Sequence, residues 1–258
     1  MPLRNLACVY ALAAVAFCGS SHAFAQATTY TTRDMGAPNL GVNRANVPNS
    51  DAARDLFVAA IGVAPTIEDF ESATAGTYAT FPGNGYDIVF GVNTPLGQQN
   101  ILDGTGGNAT GGFNTTTGGQ KRLRSNVGVD TDQPVIITFT FDVPQTFFGA
   151  YISGLGTAPG QGDIALGFNE ANASSFVLNP GDNAGGVQFF GLIAEQGQTF
   201  TTATFTFSPP SFELFVVDDV YYNLNAPVTV PELPTPGYMV LSGALLTGVV
   251  LHKRHAKR

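Results

Sequence analysis

Val135-Ile136-Ile137-Thr138-Phe139-Thr140-Phe141-Asp142-Val143 is the stretch on which the fold turns. Val135, Ile137, Phe139, Phe141 and Val143 alternate with Ile136, Thr138, Thr140 and Asp142, so one face belongs to a core and the other is mostly polar. Weaker versions of this signal recur at 67–71, 86–92, 147–153, 164–168, 175–178, 187–193, 199–207 and 213–222. They are separated by turns in a chain that holds 31 glycines and 20 phenylalanines. Nine short strands with frequent turn signals predict an all-β domain over 63–225, a β-sandwich of jelly-roll type. In the pairs Phe147-Phe148 and Phe189-Phe190 one ring falls on each face of a strand. Burial of both requires a sheet covered on two sides.

Upstream of the sandwich, Asn49 and Ser50 can cap a short helix over 49–62, with Phe57 and Ala60 on one face and Gly62 as its stop. Such a helix is expected to cover an open end of the sandwich. Residues 26–48 carry Thr, Asn and Pro with little periodicity and read as an extended leader. Residues 103–119 are rich in Gly, Thr and Asn and too poor in apolar side chains to pack, so a long surface loop is expected there. The sequon matches Asn108-Ala109-Thr110, Asn114-Thr115-Thr116 and Asn172-Ala173-Ser174 are chance matches in a Thr/Ser-rich chain. Eighteen acids against six basic residues leave residues 26–230 about twelve charges negative, which disfavours nucleic acid and anionic membranes. Lys121-Arg122-Leu123-Arg124 interrupts this acidity and reads as a solvated loop.

Both ends of the chain have the look of addresses. Arg4 opens a short positive region, residues 6–18 are apolar, and Ala23-Phe24-Ala25 is an A-x-A site that predicts removal of residues 1–25 and a mature start at Gln26. Cys8 and Cys18 both lie in the removed segment, so no disulfide can form in the exported domain. At the other end, a proline-rich spacer with a sorting motif (226–237) leads into the apolar run 238–251. That run closes on the basic cluster of Lys253, Arg254, Lys257 and Arg258, and together they make the segment 238–258. As a helix the run reaches about 21 Å, short of the roughly 30 Å hydrocarbon core, and counting from Leu233 gives a marginal span. An ordinary C-terminal anchor fits the same length and charge.

Val230-Pro231-Glu232, the apolar run and the basic end together resemble the PEP-CTERM sorting signal of exported Gram-negative proteins, a tail also found on some secreted ice-binding proteins. Leu233 stands where that signal has its second proline, and Pro234 follows. Leu233-Pro234-Thr235-Pro236-Gly237 also comes near the sortase signal L-P-x-T-G, with proline in place of the threonine. The PEP-CTERM resemblance implies passage through the Sec export machinery, cleavage by signal peptidase and handling by an exosortase-type enzyme. The intermediate would be held in the inner membrane by its C-terminal helix before reaching the cell surface or the extracellular space. It also implies a structural or adhesive role in an exopolysaccharide matrix.

The chemistry left to the exported domain is narrow. His22, His252 and His255 all lie in the targeting segments, so the domain has neither His nor Cys, and a Ser-His-Asp triad, a Cys-His pair and a His-ligated metal are excluded. A carboxylate glycosidase remains formally open, although no Trp is present to stack a sugar, leaving Tyr30, Tyr78, Tyr86, Tyr151, Tyr221 and Tyr222. No enzyme activity is expected. A flat Thr-bearing face would favour ice as a ligand, and a tyrosine-lined groove would favour polysaccharide. Phe70-Glu71 and Asp218-Asp219-Val220 resemble the opening F-E and closing D-D-V of calcium-stabilised carbohydrate-binding-module jelly rolls. The resemblance implies Glu71, Asp218 and Asp219 as ligands of a structural calcium ion, with Glu68 and Asp69 as looser candidates. Strand alternation sets Asp218 and Asp219 on opposite faces, allowing at most one of them to bind directly. The other reading of these acids is that they bond to turn amides.

Overall fold

The computed structural model describes residues 27–35, 47–91, 100–104, 112–126, 135–153, 164–169, 175–178, 186–207 and 214–225. The predicted signal segment, proline-rich spacer, sorting motif, apolar run and basic end lie outside these residues. Among the described residues no helix is long and apolar enough to cross a membrane.

The chain order is β1 (Thr28–Met35), α1 (Pro48–Ile61), β2 (Thr66–Glu68), β3 (Gly76–Thr77), β4 (Thr80–Pro82), β5 (Tyr86–Phe90), β6 (Asn100–Asp103), β7 (Lys121–Asn126), β8 (Val135–Gln145), β9 (Phe147–Ser153), β10 (Ile164–Phe168), β11 (Ser175–Leu178), β12 (Gly186–Ile193), β13 (Phe200–Phe207) and β14 (Leu214–Tyr222). The strands form two antiparallel sheets. The eight-stranded sheet has the order β1-β12-β9-β14-β7-β6-β3, with β2 also on β14, and the six-stranded sheet the order β11-β10-β13-β8-β5-β4. This is a β-sandwich with one helix, as the alternating segments predict.

The core between the sheets is largely phenylalanine. Phe139 and Phe141 of β8 meet Phe148 of β9 edge-on at centroid distances of 5.9 and 6.2 Å, and Phe168 of β10 meets Phe200 of β13 at 4.8 Å. Edge-to-face pairs of this kind add roughly 0.5–1.5 kcal/mol each beyond the area they bury. Phe148 and Phe190 point into this core, whereas Phe147 and Phe189 point to the opposite face of the eight-stranded sheet and are buried there too. The sheet is therefore covered on two sides.

The cover is α1, and this corrects the expected place of the helix. It does not close an end of the sandwich but lies on the outer face of the eight-stranded sheet, against β1, β12 and β9. Phe57 is fully buried among Tyr30, Phe147, Phe189 and Tyr221, while Ala60 is exposed, so the two do not share a face. Gly149 and Gly191, register partners on β9 and β12, make the seat: a Cβ on either would come within 2.9 or 2.6 Å of the Phe57 ring. The stop at Gly62 is as expected, with φ 67. The start differs, because Val47 occupies the cap position without a side-chain bond and Pro48 opens the helix. Ser50 is buried within the first turn, its N–H donating to Asp34 Oδ2 at 2.8 Å.

Three further expectations are corrected. Part of the supposed leader is β1, which pairs with β12 from Thr28↔Ile193 to Met35↔Gly186. Its Thr-rich sequence lacks an alternating apolar face because most of its side chains stay exposed. Residues 121–124 are not a solvated loop but the start of β7, with Leu123 in the core and Arg122 4 % exposed. Within 103–119, supposed too polar to pack, Phe113, Asn114 and Thr115 are buried.

Candidate functional site

Two of the expected acidic residues, Asp218 and Asp219, meet where β14 changes partners. Along one side β14 pairs with β7 through Leu214–Val217 and then with β2 through Val220–Tyr222, so Asp218-Asp219 spans the gap between these two neighbours. On its other side the register against β9 slips after Asp218↔Tyr151, resuming at Tyr221↔Gly149, so β14 holds one extra residue there. Asp219 takes φ 44 to make this bulge, a left-handed conformation that Asp tolerates better than most side chains. The bulge breaks the alternation on which the sequence reading relied. Val217 and Val220 both face the inter-sheet core, and the two carboxylates between them reach one hydroxyl: Thr115 Oγ1 lies 3.1 Å from Asp218 Oδ2 and 3.0 Å from Asp219 Oδ2.

The loop 112–120 fills the gap beside the bulge. Phe113 N–H donates to Ser153 Oγ at 2.8 Å, Thr115 N–H donates to Asp218 Oδ2, and the Thr116 hydroxyl donates to Asp219 Oδ1 at 2.7 Å. Gly112, at φ 69, allows the close approach: a Cβ there would strike Val216 Cγ2 at 2.5 Å. Glu71 grips the other side of the same loop. Its Oε1 accepts from Asn114 Nδ2 (2.7 Å), Gln120 N–H (2.8 Å) and Lys121 N–H (2.8 Å), and the Lys121 ammonium donates to the carbonyls of Glu71 (2.9 Å) and Ala73 (2.7 Å). The chain reaches Glu71 through Phe70, a buried residue at φ 58. Among the described residues Phe70 and Asp219 are the two non-glycines with positive φ, and both belong to this site. Glu68 and Asp69 have the other role foreseen for them, accepting from the N–H groups of Phe70 (2.8 Å) and Glu71 (3.0 Å).

Electrostatically the bulge is unbalanced. Asp218 is fully buried, and burial together with the Asp219 charge pushes its carboxyl well above the usual range, against the pull of the Thr115 donors. Among the described residues its Oδ1 has no hydrogen-bond partner. The single Thr115 hydroxyl proton can serve one carboxylate at a time, so a second positive group, proton or metal, would relieve the pair. Arg122 supplies part of that: burial lowers its pKa while the Asp218 charge raises it, and its Nη1 donates to Gly104 O at 2.9 Å. An all-oxygen donor set with an orphaned buried carboxylate oxygen has the chemistry of a hard-cation site. However, among the described residues no group of three or more His, Cys, Asp or Glu side chains gathers round one point, so Glu71 stands apart from the pair. Asn114, Thr115, Thr116 and Arg122 were missed by the sequence reading. Phe113, the one aromatic residue in the glycine-rich stretch 103–119, was the signal that the loop packs.

Among the described residues the tyrosines form no groove. Tyr86, Tyr151, Tyr221 and Tyr222 are buried; Tyr30 rests on Phe57, and Tyr78 on Phe81 at 5.2 Å. By contrast, the outer face of the six-stranded sheet carries threonine in register. One row runs Thr80, Val89, Thr138, Thr204, Gly167, Ser175; the next holds Asp87, Thr140 and Thr202; a third holds Ile136, Thr206, Ala165 and Val177. The Thr138 and Thr204 hydroxyls are 3.2 Å apart. No aromatic ring or cation occurs in these rows, and Asp87 is their one charge.

No family model matches the chain, and no curated protein matches it. Among solved structures, the K2 cleaved adhesin domain of Lys-gingipain is similar at 16% identity and a TM-score of 0.43, over 63% of this chain and 99% of that one. The family 11 carbohydrate-binding module of the cellulosomal cellulase Lic26A-Cel5E of Clostridium thermocellum is similar at 8% identity and a TM-score of 0.32, over 64% of this chain and 97% of that one. Likeness at this level carries neither ligand nor site over to the present protein.

Proposed function

We propose that this is an exported, non-catalytic cell-envelope protein with a PEP-CTERM-type sorting tail, acting as a structural or adhesive component of an exopolysaccharide matrix. The observation that carries the adhesive part is the threonine-lined face of the six-stranded sheet, whose rows are rich in hydroxyls and hold Asp87 as their one charge. Its rows suit a neutral, hydroxylated partner. The export part rests on Ala23-Phe24-Ala25, Val230-Pro231-Glu232 and the basic end. Cells expressing wild type or Glu232→Ala are to be fractionated and the mass of the mature C-terminus measured. The variant should stay membrane-bound with its tail intact, and unchanged mass and location would defeat the processing.

A second reading, binding to ice, is favoured by the paired register of Thr138 with Thr204 and Thr140 with Thr202. Strands about 4.8 Å apart and alternate residues about 6.8 Å apart along each strand set the four threonines of these two pairs at regular spacings, and among the described residues no tyrosine groove offers a sugar platform. Uptake of the protein into a growing ice hemisphere distinguishes the readings, since exclusion from the ice removes this one.

Calcium belongs to the same proposal as a structural ion. Asp218 and Asp219 would hold it through the orphaned Oδ1 and its neighbour, with Glu71 fixing the loop that closes the site. Its contribution there would be to neutralise two adjacent carboxylates and hold β14, β2 and the loop 112–120 together.

A further inference from the structure

Strands at a sheet edge are short among the described residues, except at one place. Among the described residues β2, β3, β4 and β11 run for three, two, three and four residues, whereas β1 runs for eight. Short edges are how sheets avoid joining one another, and β1 lacks that protection along Thr28-Thr29-Tyr30-Thr31-Thr32, which is uncharged and made of good strand formers. We infer that this edge pairs with the same edge of a second copy of the chain, joining two eight-stranded sheets across a twofold axis.

Three features point to a second copy rather than to some other strand. The segment reads the same in both directions about Tyr30, so an antiparallel pair centred there sets Thr28 against Thr32, Thr29 against Thr31 and Tyr30 against itself. That is the self-complementarity an isologous interface requires. Arg33 and Asp34 fall outside the paired residues, so no like charges meet. The third feature is α1, which an antiparallel pair would place on the same face in both copies. Asn49 lies over β1, donating to Asp34 Oδ1 from Nδ2 at 3.0 Å, while Asp51, on the other flank of the helix, accepts from the Tyr151 hydroxyl of β9. Leu56, two turns beyond Asn49 on the β1 flank, is 64% exposed. In the joined sheet the two Leu56 side chains flank the seam from above. The acidic charge of each domain opposes the approach, so association strengthens as salt is added.

This inference is independent of the function proposed above. Its test uses the full chain with Cys8→Ser and Cys18→Ser as background, purified with detergent for the apolar end. Sedimentation equilibrium should show a monomer–dimer equilibrium that shifts toward dimer as salt rises, and Leu56→Lys should weaken it about tenfold. Chains carrying Thr29→Cys and chains carrying Thr31→Cys, mixed and oxidised, should give a disulfide-linked dimer that neither gives alone, because paired residues lie about 4.5–5.5 Å apart, within disulfide reach. Matching melting curves would show the cysteine variants folded. A wild-type chain that stays monomeric at all salt concentrations, or a mixture that crosslinks no better than its components, would overturn the inference.

Discussion

The two sheets present opposite outer faces to the world. That of the eight-stranded sheet is covered: α1 seats Phe57 on Gly149 and Gly191, and the loop 112–120 closes over Val216, Ser153 and Asp218. Among the described residues no helix covers that of the six-stranded sheet, which carries threonines in register across β8 and β13. The covered face is large, aromatic and acidic, and its polar groups are directed at one another. The rows of the other face carry threonine and aliphatic side chains with Asp87 as their one charge. The cover adds a second buried cluster on one side to the core that the two sheets share.

Breaking the covered side should have the largest effect. Phe57→Ala empties a site lined by four aromatic rings and is expected to cost about 3–5 kcal/mol in urea unfolding. A loss below about 1 kcal/mol would mean that α1 is not a true cover. Next in size is the metal: calcium should raise the melting temperature by about 2–4 °C or more over chelator, and Asp218→Asn should abolish that difference. Superimposable curves for wild type would end the calcium proposal. The smallest effect sharpens the picture at β2. Burial raises the pKa of Glu68, against the Phe70 N–H and Tyr86 hydroxyl that lower it. Unfolded chains therefore lose this proton at lower pH than folded ones. Its contribution to stability is greatest below about pH 4 and is lost as pH rises through the folded value. Glu68→Gln should flatten that part of the pH–stability profile, and an unaltered slope would assign it to another group.

Alternation made the sandwich legible. The segment 164–168 coincides with β10 because a half-buried strand writes its burial into every second residue, whereas 147–153 coincides with β9 as an apolar run buried on both faces. β1, β3, β4, β6 and β7 escaped notice, β3, β4 and β6 because two to four residues hold too little alternation to read. β1 is an exposed edge, while Lys121, Arg122 and Arg124 hide a strand in which Leu123 faces the core and Arg122 and Arg124 the opposite side. Glu71, Asp218 and Asp219 were legible as acids at the two chain ends of the sandwich, but the geometry that unites two of them was not. A bulge adds one residue, and it depends on the neighbour of β14 changing from β7 to β2, which no local pattern in 214–222 records. Nor could the rows of threonine be seen, since they arise only when β8 and β13, far apart in sequence, pair in register.

The division of labour between the faces is tested most directly by charging the threonine-lined one. Thr138→Lys with Thr204→Glu replaces a neutral cross-strand pair by an oppositely charged one, which should leave the melting temperature within about 2 °C of wild type. The measurement is the fraction of exported protein that stays with the washed extracellular matrix of the producing cells. A large fall in retention at unchanged melting temperature is expected, and retention equal to wild type would contradict the assignment of that face to adhesion.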